Sequence, residues 1–275
     1  MDEINVLQFA EYKRERRKIT AITAYDAPFA KIMEEAGIDL VLVGDSVGMA
    51  VHGRPDTLSV TMEEMILHGR SVASAVTRPF VAVDMPYMTF QASKELAAQN
   101  AVRLVKETGA KAVKVEGGVK VASAIRAIVE AGVPVIGHAG LLPQSVHEIG
   151  GYKAQGTTAQ SARVVMEDAL AAEEAGAFMV VLEAIPAELG RSITGALGIP
   201  AIGIGAGPHC DGQILVMHDM LGLSTGRLPR FVKTYANLRE QAVAAARKYA
   251  DEVRSGAFPT DEHSYHAKNE GEGRK

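Results

Sequence analysis

Five ionisable side chains close five separate apolar runs: Asp45, Asp84, Glu116, His138 and Glu183. A sixth, Lys114, stands two residues before Glu116, so on an extended chain both side chains face the same way. Carboxylates with no cysteine and few histidines beside them favour a hard cation such as Mg2+. Such an ion takes one or two protein carboxylates, keeps some of its waters and accepts substrate oxygens. A chelating 2-oxo acid suits it. The cation polarises the carbonyl and steadies an enolate beside it, while a carboxylate outside the coordination shell removes the proton. A single acid at the end of an apolar run reads first as a helix N-cap, and four of them at one rim do not. Lys114 leaves a Schiff base open as a second chemistry, although neighbouring acids keep an amine protonated. His138 is as readily a hydrogen-bonded rim histidine as a substrate contact and stays outside the catalytic set.

The elements that must position these groups follow from the pattern of the runs. They occupy residues 19–24, 40–45, 80–84, 112–116, 134–138, 178–183, 200–205 and 213–217. Each is rich in Val and Ile and nearly continuous in apolar character, as strands buried on both faces are. Segments 94–107 and 160–175 carry the 3.6-residue helical period, and 119–131 is compatible with it. Four turns share one layout, Glu-x-Gly before a strand, with glycines 37, 109, 132 and 176 at the left-handed position past a helix. Eight strands with intervening helices predict an α/β fold, a (β/α)8 TIM barrel of one domain, with an open doubly wound sheet as the competitor. The connection 206–212 is too short for a full helix. In such a barrel, catalytic groups sit at the C-terminal ends of the strands, where the acids fall.

The chain has 275 residues, enough for a full core, and its charge balance of 29 − 33 = −4 gives no global basic field for nucleic acid or an anionic membrane. Residues 13–18 are mixed in charge and read as a solvated helix end. The one cysteine, Cys210, excludes an intramolecular disulfide and reads as a packing residue. No apolar run reaches the roughly 18 residues of a membrane span, and the N-terminus lacks the order of a secretory signal. A cytoplasmic protein is the expectation. The glycines of 203–207 lack the spacing of a dinucleotide loop. Polar composition from Asp251 onward predicts fraying, so the expected organisation is a catalytic domain over 1–254, with an N-terminal helical extension, and a flexible tail over 255–275.

An ordered set of motifs carries a resemblance. It comprises Val43-Gly44-Asp45-Ser46-Val47-Gly48-Met49, Asp84-Met85-Pro86, Val113-Lys114-Val115-Glu116-Gly117-Gly118 and Gly137-His138-Ala139-Gly140-Leu141-Leu142-Pro143-Gln144-Ser145. Leu182-Glu183-Ala184-Ile185-Pro186, Gly203-Ile204-Gly205-Ala206-Gly207 and Cys210-Asp211-Gly212-Gln213 continue it. From about residue 5 to 255 the chain resembles the ketopantoate hydroxymethyltransferase family. The segment 150–157 fits that pattern loosely and bears no catalytic weight. The resemblance implies a homodecamer, Mg2+, and transfer of a one-carbon unit from 5,10-methylenetetrahydrofolate to 3-methyl-2-oxobutanoate, giving 2-dehydropantoate on the way to pantothenate and coenzyme A. It also implies Asp45 and Asp84 as direct metal ligands that meet the substrate there, and Glu116 as the third acid of the metal site, directly or through water. Ser46 and Lys114 are then substrate binders and Glu183 the base that takes the C3 proton. The alternative is a folate-independent, Mg2+-dependent lyase or mutase of 2-oxo acids, similar to the phosphoenolpyruvate mutase and isocitrate lyase group.

Overall fold

A computed structural model describes residues 3–267. Eight parallel strands close into a barrel in sequence order. They are β1 Ile19–Thr23, β2 Leu40–Val43, β3 Phe80–Asp84, β4 Ala112–Glu116, β5 Val135–Gly140, β6 Met179–Glu183, β7 Ala201–Ile204 and β8 Gly212–Leu215. Closure is made by β1 on β8, with Ile19 opposite Gly212 and Ile22 opposite Leu215. The open doubly wound sheet is thereby excluded. No helix intervenes between β7 and β8, as the short connection requires.

The helices are α1 Val6–Arg14, α2 Ala27–Glu35, α3 Val47–Ala50, α4 Met62–Ala73, α5 Lys94–Thr108, α6 Ala122–Glu130, α7 Val146–Ile149, α8 Ala159–Glu174, α9 Ala187–Ala196, α10 Met217–Met220 and α11 Leu238–Ser255. Segment 119–131 divides into a 3-10 turn, Val119–Val121, followed by α6. Gly132 takes φ +86° between α6 and β5, and its three sister turns share that sign.

Two apolar layers hold the barrel. One lies between sheet and helices, where residues such as Val41, Val83, Val113 and Val180 meet Met65, Leu104, Ile125 and Ala172. The other fills the barrel from Phe80, Ala82, Ala112, Ile136, Met179 and Val181. At the N-terminal end α1 plugs it, with Phe9 packed edge-on against Phe80 at 5.4 Å between ring centres. The two-residue period of the strands does the positioning. Phe80, Ala82 and then Asp84 point inward on β3, as do Ala112, Lys114 and Glu116 on β4, and Met179, Val181 and Glu183 on β6. Chemistry thus forms the top layer of a stack whose lower layers are apolar.

One expectation is refined and another changes. Residues 14–18 are exposed at the end of α1, as expected, but Lys13 pairs with Asp211 at 2.8 Å and the Arg17 guanidinium lies 3.8 Å over the Tyr12 ring. Helix α11 continues through Asp251 to Ser255, stabilised by side-chain pairs on its exposed faces such as Lys248–Glu252. Beyond it, residues 256–267 are largely exposed and include one 3-10 turn, Asp261–His263. The remainder of the expected tail, 268–275, lies outside the described residues. Among the described residues no helix is long and apolar enough to cross a membrane.

Candidate active site

Asp45 sits two residues beyond β2, in a turn whose backbone N–H donates to Asp84 Oδ2 at 3.0 Å. Across the β3–β4 register, where Asp84 faces Lys114, the Lys114 ammonium lies 3.1 Å from Asp84 Oδ1 and 3.8 Å from Glu116 Oε1. Register then sets Glu116 opposite His138 and Gly140 opposite Glu183. His138 Nδ1 is 3.6 Å from Glu116 Oε1 and 3.3 Å from the Lys114 nitrogen, while Nε2 is 3.3 Å from Glu183 Oε2. All six ionisable residues named from the sequence therefore meet in one cluster. Five of them are buried, and Glu183, with 17% of its side chain exposed, is the acid that opens to solvent.

Electrostatics separates their roles. Burial pushes the Asp45 carboxyl well above the usual carboxylate range, and the neighbouring Asp84 and Glu116 add to it. Burial raises Asp84 as well, against the pull of Lys114. Burial acts on Glu116 too, but the nearby His138, the charge of Lys114 and the Gln144 backbone N–H hold it below its ordinary value. Burial disfavours the Lys114 ammonium, yet Asp84, Glu116 and Asp45 outweigh it and hold the amine protonated, which removes the free amine a Schiff base needs. His138 is raised in the same way, burial being overcome by Glu116 and Glu183.

Burial and crowding raise the pKa of both Asp45 and Asp84, a cost that a bound cation would relieve, and Asp84 Oδ1 has no aligned hydrogen-bond donor. Both features fit a hard cation seated against Asp45 and Asp84. Among the described residues no three His, Cys, Asp or Glu side chains converge at coordination distance. Mg2+ commonly takes one or two protein carboxylates and keeps waters, so Asp45 and Asp84 are the residues that would hold it, with Glu116 behind a water.

Sequence reasoning missed two participants. Gln144 donates from Nε2 to Asp45 Oδ2 and to the Met85 carbonyl, each at 2.9 Å, and from its backbone N–H to Glu116 Oε2. Its own carbonyl oxygen accepts from Gln91 at 2.9 Å. Tyr25 follows β1 and is wholly buried, with its hydroxyl 2.9 Å from Ser46 Oγ. Both lie just past strand ends, but a search for charge passes over an amide and a phenol. Cys210 is buried and packs in the outer apolar layer.

A family model described as ketopantoate hydroxymethyltransferase matches residues 3–261. The chain is 52% identical over 264 residues to 3-methyl-2-oxobutanoate hydroxymethyltransferase of Thermoanaerobacter sp., covering 96% of each chain. It is also 52% identical over 263 residues to the enzyme of that name from Pelobacter propionicus, covering 96% of this chain and 97% of the other. Among solved structures it is similar to phosphonopyruvate hydrolase in complex with oxalate and Mg2+, at a TM-score of 0.61 and 17% identity over 94% of this chain and 93% of that one. It is likewise similar to 2,3-dimethylmalate lyase, a member of the phosphoenolpyruvate mutase/isocitrate lyase superfamily, at 0.59 and 18% over 94% and 91%. At these identities the structural likeness speaks for the barrel alone.

Proposed function

The chain belongs to the ketopantoate hydroxymethyltransferase family, and from that premise we infer that it is an enzyme transferring a hydroxymethyl group to 3-methyl-2-oxobutanoate to give 2-dehydropantoate. The folate-independent lyase or mutase reading has the same barrel in its favour, but the sequence relatives carry the transferase name. The one-carbon donor in this reading is 5,10-methylenetetrahydrofolate. The observation that carries the mechanism is the contrast between the buried acids around Lys114 and the more open Glu183.

Asp45 and Asp84, with Glu116 behind them, would hold Mg2+, which when bound draws charge from the substrate carbonyl and acidifies C3–H. Lys114 and Ser46 bind the substrate's carboxylate and oxygens, the ammonium being kept charged by its three acids. Glu183 removes the C3 proton, and His138, close to both Glu116 and Glu183, holds the base in place. The carbon so freed attacks the methylene carbon of the folate. Water supplies the hydroxyl oxygen, and tetrahydrofolate departs. Family membership also supports a homodecamer working in the cytoplasm.

Proton NMR of 3-methyl-2-oxobutanoate in D2O, with enzyme and Mg2+, tests the first half of this scheme. The C3 proton signal is expected to disappear, and EDTA or Glu183→Gln is expected to preserve it. Folate added afterwards tests transfer. A C3 signal that persists even with tetrahydrofolate present, and no product with the methylene donor, overturns the reading.

A further inference from the structure

The segment 150–157, which the catalytic cluster does not use, crosses the barrel mouth. It leaves α7 through Gly150 and Gly151, and the Gln155 backbone N–H ties it to the carbonyl of Ala184, next to Glu183, at 2.9 Å. Between these anchors, Tyr152 reaches to α3, the short helix after β2, its hydroxyl 3.7 Å from the sulfur of Met49. Strands β2 and β5 are not neighbours, so this contact spans the opening above the acids. Burial raises the Tyr152 phenol pKa, and Asp56, Asp45, Glu183 and Glu116 add to it, so the ring lies within electrostatic reach of the cluster.

The same rim exposes apolar side chains. Tyr152 is 47% exposed and Met49 41%, and from the loop after β3 Tyr87 and Met88 are 41% and 51% exposed. That loop is latched to the site through Gln91 and Gln144. Two aromatic rings and two thioethers around the entrance to a highly charged pocket suit a ligand with flat aromatic faces. The donor of the one-carbon unit must enter by this mouth, because its carbon has to reach the C3 atom beside Glu183.

Resting on the folate reading above, we propose that Tyr152, Met49, Tyr87 and Met88 form the binding wall for the fused ring and aminobenzoyl group of the folate co-substrate. Lys153, exposed and next in the chain, lies in place to meet its glutamate tail.

The chain contains no tryptophan, so Tyr152→Trp creates a single indole at the rim, excited selectively over the tyrosines, and Leu7→Trp creates one on α1 at the opposite end of the barrel. Tetrahydrofolate titrated into the Mg2+-loaded proteins is expected to quench the first saturably and the second only by its absorbance. In the assay, Tyr152→Ala is expected to raise KM for 5,10-methylenetetrahydrofolate about tenfold, with KM for the oxo acid moving less than about twofold. Unquenched fluorescence in Tyr152→Trp, while calorimetry shows the unaltered enzyme binding tetrahydrofolate, overturns the proposal. So does an emission that responds to dilution of the oligomer and not to folate, which would make the rim a contact between copies. If the unaltered enzyme neither binds tetrahydrofolate nor forms product, the folate reading itself falls and takes the proposal with it.

Discussion

The hydroxyl of Tyr25 stands 2.9 Å from Oγ of Ser46, and Tyr25 is itself held from two sides. Nδ1 of His68 lies 2.7 Å from its backbone carbonyl, and its ring packs against His218 with centres 5.4 Å apart. Burial raises the phenol pKa, so it stays protonated and orients the serine hydroxyl. Tyr25→Phe is expected to raise KM for the oxo acid about three- to tenfold while the protein stays folded, the effect of one lost hydrogen bond. In the Tyr25→Phe/Ser46→Ala pair the effect is expected to vanish into that of Ser46→Ala alone. Additive losses in steady-state kinetics would show that Tyr25 acts by some other route.

Three buried carboxylates around a single ammonium predict that a divalent cation stabilises the fold. At Mg2+ about a hundredfold above its dissociation constant, linkage gives about 2.7 kcal/mol. For a chain of this size that corresponds to a rise in Tm of about 5–10 °C. Differential scanning calorimetry with Mg2+, against NaCl of matched ionic strength, measures it. Asp84→Asn is expected to abolish the rise, and an equal rise in NaCl would mean general screening and not a site.

Much of this was legible in the sequence because strands buried on both faces leave a continuous apolar record, broken where a polar group is needed. Asp84, Glu116 and Glu183 end such runs and proved to be the inward layer. What the sequence hid is what depends on distant pieces of chain meeting. Gln144 bonds Asp45 across 99 positions, and although it stands in the 137–145 motif, nothing local marks this contact. The docking of Lys13 on Asp211 is equally non-local, which is why its stretch reads as solvated. Helix α11 shows the reverse error, since local side-chain pairs sustain a helix that polarity alone suggests will fray.

Glu64, on α4 and outside the catalytic cluster, gives a pH signature of its own. It closes the N-terminus of α4 in a capping box with Thr61 and takes a forked bond from Arg54. The Arg54 bond lowers its pKa to about 2, burial opposing it and the Thr61 backbone N–H and the Arg54 charge assisting. The folded value lies below the unfolded one, so the folded state binds fewer protons in between, and stability falls as pH drops through that window. The contribution is whole above about pH 5 and fades toward pH 2. Glu64→Gln is expected to lose about 1–2 kcal/mol at pH 7 in urea denaturation. The gap to the unaltered protein should narrow on acidification, and a gap constant from pH 7 to 3 would exclude this assignment.

Gly140 ends β5 opposite Glu183 with φ +99°. A Cβ added there would meet the Glu183 carbonyl oxygen at 2.3 Å and Ile185 Cγ2 at 2.9 Å. That carbonyl also accepts from the Leu141 N–H at 2.9 Å, so the clash falls on the bond that fixes the end of β6. Gly140→Ala must therefore move the backbone that carries the base. Gly132 supplies the comparison, since at φ +86° an added Cβ would meet nothing within 4 Å. Gly132→Ala carries only the left-handed strain, about 1 kcal/mol, and is expected to keep its C3-exchange rate. Gly140→Ala adds overpacking of about 1–3 kcal/mol and is expected to slow exchange about a hundredfold. The two variants separate the conformational demand of a glycine from the space it leaves. Equal exchange rates, measured where both remain folded by circular dichroism, would mean that the end of β6 can shift without carrying Glu183 with it.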